Sequence, residues 1–389
     1  MKFYAVMAII LLATAQNTAQ QNTAQQTDAL IQKSGDGTPE YRSSVEASHR
    51  SLQIKTSIYE AVPEKGSGLR LGIYQAQAAS GKGATAKNMA RLKRAVASAK
   101  QLRVQLLSFP ELYVPGYTLS PQEARQVAEF QDGPSITEAR SIAKANQMAL
   151  LVPYAEKAQE AGGELKYYDS IAVINEKGEL LTSYRKTHLY GQQERDNWSA
   201  SNNPYRVWNI YGFPVGVLNC YECEFPELSR ILALRGAKLI VGPTAADNYY
   251  RLPDGTRSKV PYPDVSGVLF PANAYTNNIF FAYSNRCGYE QRGDDIWHYR
   301  GNSIVCGPHG DVLVKAGHQQ DTLLVADCVP AYYGMTHPAP NYFYLKDRQP
   351  ALYEKLVSQN AEFLNIPSTK VTTNTDFLKG QYTYPKEQE

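Results

Sequence analysis

The sequence predicts an α/β fold with a mixed sheet, contained in one domain over residues 69–328. Three observations carry this. Short apolar runs alternate with amphipathic helical stretches through the first half of that region. Turn signals at Glu176-Lys177-Gly178-Glu179 and His309-Gly310 join later strands as antiparallel hairpins. No linker-like stretch divides residues 69–328.

The chain has 389 residues and is 43% hydrophobic, enough for a sizeable core. Its net charge of +3 gives no basis for nucleic acid or an anionic membrane as the main partner. Lys2, an apolar run over 3–12 and Ala13-Thr14-Ala15 read as a cleavable signal peptide, residues 1–15. That run is too short to span a bilayer. A secreted or periplasmic protein is expected, with no membrane attachment after cleavage. Residues 16–68 open on a QNTAQ repeat, stay polar and read as a flexible leader.

A first strand is expected over 69–77 and a helix over 84–102, with Met89, Leu92, Val96 and Ala99 on one face. A buried-type strand over 105–109 ends at Pro110-Glu111. A polar loop leads to a helix over 136–147. Strands follow over 149–155, 167–175 and 180–186, then an aperiodic loop over 187–204. Strand-like runs over 205–210 and 213–219 precede Cys220. A helix with Leu228, Ile231 and Leu232 inward comes next, capped by Gly236. Residues 239–242 read as a strand, 248–264 as a polar loop and 266–277 as a helix. Strands at 279–285, 302–306, 312–314 and 322–327 complete the domain. A C-terminal extension, 329–389, carries one helix near 348–360 and packs on the domain or a partner subunit.

The five cysteines are Cys220, Cys223, Cys287, Cys306 and Cys328, an odd number that leaves at least one unpaired. Cys220 stands between an apolar run and a helix start, where free N–H groups can lower a thiol pKa. A buried structural cysteine is the alternative. The Cys220/Cys223 spacing also permits a redox or zinc reading, but no second pair or histidine cluster accompanies it. No metal and no cofactor is therefore expected. His188 offers a Cys–His dyad without a motif behind it. Glu111 and Lys186 each end an apolar strand, as Cys220 does, and strand ends are where α/β sheets assemble sites. Taken singly, both could be surface charges or a structural ion pair.

The blocks FPELYVPGY around Glu111, YRKTHLYGQQERDNW around Lys186 and NCYECEFPE around Cys220 resemble the carbon–nitrogen hydrolases of the nitrilase superfamily. RGAKLIVGPTA, PYAEK, FAYSNRCG and RGNSIVCGPHG extend the resemblance in order over residues 69–328. It implies a four-layer αββα sandwich and a homodimer or higher homo-oligomer paired through helices. It also implies a triad with Glu111 as general base, Cys220 as nucleophile and Lys186 as oxyanion stabiliser. The backbone N–H of Tyr221 would share the oxyanion, and Glu156 in PYAEK would orient a small-molecule substrate. Residues 113–122, the Trp198 region and 248–264 would line the pocket. Tyr168-Asp169-Ser170 and Cys220-Tyr221-Glu222 stand where Tyr-Asn-Ser and Cys-Tyr-Asp are more usual. Tyr221, where nitrilases proper carry Trp, points to the amidase and N-carbamoyl amidohydrolase branches. A nitrilase, and a catalytically silent binding protein on the same fold, are the alternative readings.

Overall fold

A computed structural model describes residues 52–358, apart from 252–255, 262–263, 294, 338 and 340. The expected signal peptide, and residues 16–51 of the expected leader, lie outside the described residues. The fold begins earlier than residue 69, because strand β1 (Gln53–Ser57) already lies in a sheet. It pairs in parallel with residues 322–326, a partner far along the chain that local pattern does not reveal.

Five more strands build the first large sheet: β2 (Leu69–Gln75), β3 (Leu106–Ser108), β4 (Ala149–Gln159), β5 (Leu165–Ile174) and β6 (Leu180–Arg185). The second is drawn from β7 (Val207–Ile210), β8 (Phe213–Val217), β9 (Leu239–Thr244), β12 (Phe280–Asn285), β15 (Ile304–Cys306) and β16 (Val312–Lys315). Two hairpins stand apart: β10 (Tyr249–Arg251) with β11 (Arg257–Pro261), and β13 (Cys287–Arg292) with β14 (Asp295–Arg300). The last strand, β17 (Thr322–Cys328), returns to the first sheet, whose order is β1-β17-β2-β3-β4-β5-β6. The second sheet runs β16-β15-β12-β9-β8-β7. Both are mixed: β2, β3 and β4 are parallel neighbours, while β4, β5 and β6 are antiparallel. Gly178, at φ +78°, closes the β5–β6 turn in the left-handed conformation that glycine adopts freely.

The period-2 alternation of the strands sorts side chains into layers. Leu71, Ile73, Leu106, Leu151 and Val173 face Val215, Val217, Leu239, Val241 and Phe280 between the sheets. The opposite face of the first sheet, with Leu107, Leu150 and Val152, is covered by α1 (Ala84–Gln101) and by a longer-range helix over Pro134–Asn146. The outer face of the second, with Ile240, Phe281 and Tyr283, is covered by helices over Pro226–Leu234 and Leu269–Asn277. The result is the four-layer αββα sandwich. In chain order the helices are α1, α2 (Pro121–Val127), α3 (Pro134–Asn146), α4 (Gly191–Asn197), α5 (Pro226–Leu234) and α6 (Leu269–Asn277).

Several elements differ from expectation. The polar loop before α3 contains α2, started by a capping box between Ser120 and Glu123 with Pro121 in the first turn. The loop over 187–204 contains α4. Cys220 opens a short 3-10 turn, Cys220–Glu224, and α5 starts only at Pro226, which fits a first helical position. Leu228 and Leu232 point inward, but Ile231 is exposed. The helix expected near 348–360 is replaced by two 3-10 turns, Pro350–Leu352 and Glu354–Leu356; residues 359–360 lie outside those described.

One buried ion pair locks the sheet. Arg70 on β2 pairs through two nitrogens with Asp327 on β17, at 2.7 and 2.8 Å. Asp327 also accepts the Tyr59 N–H, and Arg70 donates to the Tyr59 carbonyl, so the residues after β1 are tied in too. Removing one partner leaves the other charge buried and alone. Asp327→Ala is therefore expected to cost about 3–5 kcal/mol in urea denaturation. A loss below about 1 kcal/mol, the scale of exposed pairs, would contradict this placement.

Candidate active site

Three chain segments converge where strands end. Glu111 follows β3 by three residues. Its N–H donates to the Thr244 carbonyl on β9, so this loop bridges the two sheets. Arg286 donates to the Glu111 and Leu112 carbonyls at 2.9 and 2.6 Å. Arg286 also pairs with Glu290, which accepts the N–H groups of Tyr117 and Thr118. The loop over 111–118 is thus held at both ends by one buried pair.

Lys186 follows β6, its N–H bonded to the Asp169 carbonyl at 2.9 Å. Cys220 follows β8 and adopts φ +52°, a left-handed conformation that costs a non-glycine residue about 1–2 kcal/mol. Glu222 holds that turn. Its carboxylate accepts the Asn219 N–H at 2.7 Å, the Tyr184 hydroxyl at 2.6 Å and the Thr187 N–H at 2.6 Å. Tyr184 and Thr187 flank Lys186, so Glu222 fixes the cysteine turn against the lysine strand.

The side chains meet around the Lys186 ammonium. Its Nζ lies 2.5 Å from Glu111 Oε1, 2.8 Å from Glu194 Oε1 and 3.7 Å from Asp169 Oδ2, all buried. Burial alone would favour a neutral amine. The charges of Glu111 and Glu194 outweigh it and hold the ammonium well above the ordinary lysine range. Glu111, Asp169 and Glu194 place oxygens within 4.8 Å of one another, the spacing of a cation cage. The cation bonded inside it is the Lys186 ammonium.

Cys220 is half-buried and forms no disulfide, while the other four cysteines are buried. Burial, then the charge of Glu111, raises its pKa well above the ordinary thiol range, against Lys186 and the Ala245 N–H. This corrects the expectation of a thiol acidified by a helix start. No α-helix begins at Cys220, and burial with the charge of Glu111 outweighs the Lys186 ammonium. Cys220 thus shares one electrostatic neighbourhood with Glu111 and Lys186.

Glu111, Lys186 and Cys220 are brought together; Glu156 is not. Glu156 pairs with Arg185 at 2.8 Å and accepts the hydroxyls of Ser170 and Ser183. The reason is strand alternation. Tyr154 and Glu156 share the helix-covered face of β4, while Asp169 on β5 faces the opposite way with Lys186. The glutamate beside the lysine is Glu194 on α4, which sequence reasoning missed. It accepts Lys186 Nζ, the Tyr117 hydroxyl at 2.7 Å and the Tyr190 N–H at 2.7 Å. A seven-residue helix without hydrophobic periodicity gave no signal for it.

The Tyr221 ring packs against Tyr190 and Phe225, with centroids 5.4 and 4.9 Å apart, and its N–H directly follows Cys220 in the turn. His188 bonds Thr187 Oγ1 at 2.7 Å and stacks near Phe225 rather than joining the cluster. Of the expected pocket residues, Tyr117 and Trp198 share one aromatic cluster with Trp297 and Tyr299. Tyr113 instead packs behind the first sheet against Phe109.

Comparison with known proteins agrees with this architecture. The chain is 32% identical over 271 residues to a hydrolase of Pseudomonas protegens named for the pqqF 5′ region, covering 70% of this chain and 86% of that one. It is 30% identical over 273 residues to an (R)-stereoselective amidase of a Pseudomonas species, covering 70% and 89%. The crystal structure of an amidase from Nesterenkonia sp. superposes with a TM-score of 0.60 at 30% identity, covering 77% of this chain and all of that one. A variant of the Nesterenkonia sp. AN1 amidase, similar at 31% identity and a TM-score of 0.60 over 76% of this chain and 99% of its own, carries the acetamide moiety of fluoroacetamide on its active-site cysteine. Residues 70–337 match the carbon–nitrogen hydrolase profile, and the chain belongs to that family.

Proposed function

We propose that the protein is a thiol amidase that cleaves the C–N bond of a small amide or N-carbamoyl compound through a thioester on Cys220. The observation that carries this reading is the enclosure of Glu111 and Lys186 in one buried cluster beside the Cys220 thiol. In the first step Glu111 takes the thiol proton as sulfur attacks the carbonyl carbon. The oxygen gains the negative charge, and the Lys186 ammonium and the Tyr221 N–H stabilise it. Glu111 then gives its proton to the leaving nitrogen as the C–N bond breaks, releasing ammonia or an amine. Water, deprotonated by Glu111, attacks the thioester and frees the acid and the thiol.

The raised thiol pKa fits this order of events. A cysteine that rests protonated next to its base moves its proton during attack rather than before it. Glu194 supports the scheme by holding the lysine through a second buried carboxylate, 2.8 Å from its Nζ. The relatives named as amidases support an amide over a nitrile. The proposal includes export, resting on residues 1–15, and pairing of subunits, for which Ile231 and Leu234 of α5 expose an apolar face.

A screen of ammonia release over simple amides, N-carbamoyl amines and nitriles tests the reaction class. Amides or carbamoyl compounds are expected to react, and Cys220→Ala to lose at least about a thousandfold. Turnover confined to nitriles, or activity that survives Cys220→Ala, would overturn the proposal. The thiol itself gives a second test. Its raised pKa means that the thiolate fraction keeps growing with pH past the ordinary thiol value of about 8.5. Alkylation of Cys220 by iodoacetamide, mapped by mass spectrometry, should accelerate throughout that range. A rate already constant near pH 7 would show a preformed thiolate and contradict the reading.

A further inference from the structure

Three buried carboxylates surround a single ammonium, so full ionisation would leave two uncompensated negative charges in one enclosed site. Buried like charges at this spacing do not all ionise, and one proton is retained. The hydrogen bonds identify where. Both Glu194 oxygens have donors: one accepts Lys186 and the Tyr117 hydroxyl, and the other accepts the Tyr190 N–H. Glu111 Oε1 accepts Lys186 at 2.5 Å. Asp169 Oδ1 accepts the Asn219 side-chain amide at 3.0 Å. Two oxygens are left without any donor, Glu111 Oε2 and Asp169 Oδ2, both wholly buried.

We propose that Asp169 is a neutral carboxylic acid whose proton bridges to Glu111 Oε2, making it a positioning residue for the general base. A single proton then satisfies both orphaned oxygens. It belongs formally to Asp169, because Glu111 has the closer ammonium and Asp169 has only an amide and a lysine nitrogen 3.7 Å away. Burial first, and the charge of Glu111 next, hold the Asp169 carboxyl well above the usual carboxylate range despite Lys186. A carboxylate oxygen offers two lone pairs, so Glu111 can keep the Asp169 bond and still receive the thiol proton. Asn219, bonded to Asp169, immediately precedes Cys220, so the same acid also braces the nucleophile turn.

The role in positioning rests on Glu111 being the base; the protonation state does not. Infrared difference spectra at pH 7 between Cys220→Ala and Cys220→Ala/Asp169→Asn read that state without turnover. The expected result is a protonated carboxylic acid carbonyl band, sensitive to deuterium oxide, that disappears with Asp169. Loss of only ionised carboxylate bands would overturn the proposal, whatever Glu111 does. Kinetics on the otherwise native enzyme read the role. Asp169→Asn keeps a donor and is expected to lower kcat about tenfold, while Asp169→Leu lowers it on the order of a hundredfold, with KM little changed in both. Equal losses in the two variants would show that a negative charge or packing is needed instead. Full activity in Glu111→Gln would sink the base reading and the positioning role with it, leaving the infrared band to decide the proton.

Discussion

The Lys186 ammonium has no solvent contact, so its charge must be met by protein groups. That constraint organises the site. A buried charge stripped of one partner costs about 3–5 kcal/mol, so the carboxylates around it cannot be placed loosely. They come from a loop after β3, from β5 and from α4, and each segment needs its own anchor. Arg286 and Glu290 hold the Glu111 loop, Glu222 ties the Cys220 turn to the strand end at Lys186, and Tyr117 and Tyr190 fix Glu194. The geometry of the cluster is therefore built on a second set of buried polar contacts, each fully specified in direction.

The electrostatics of this arrangement bear on how the thiol is used. A lysine near a cysteine is often taken to make a standing thiolate, but here the lysine is already engaged by carboxylates. Burial first, and the charge of Glu111 next, raise the cysteine pKa against the pull of Lys186. On the proposed scheme the thiol proton therefore leaves only when a carbonyl carbon arrives. The left-handed turn at Cys220 serves the same end, since it is held by Glu222 rather than by a helix.

Much of this was legible in the sequence because strand ends are legible. Apolar runs ending in Glu111, Lys186 and Cys220 announced three polar groups at one edge of a sheet sandwich, and the hairpin turn at Gly178 was marked by composition. What failed did so for identifiable reasons. Glu156 was assigned to the site from a motif match, whereas the alternation along β4 turns it to the other face, where Arg185 meets it. Glu194 sits on a short helix whose only strong contacts are in three dimensions. Strand β1 pairs with β17, more than 250 residues away, and no local pattern encodes that.

The central claim is that this buried cluster makes Cys220 an acyl acceptor. Acid-quenching the enzyme during turnover of a reactive amide, followed by mass spectrometry of the Cys220 peptide, tests it directly. The result expected is the mass of the acyl group on Cys220, absent in Glu111→Gln when the same amide is offered. An acyl group found on another residue, or steady turnover with Cys220 blocked beforehand by iodoacetamide, would contradict it.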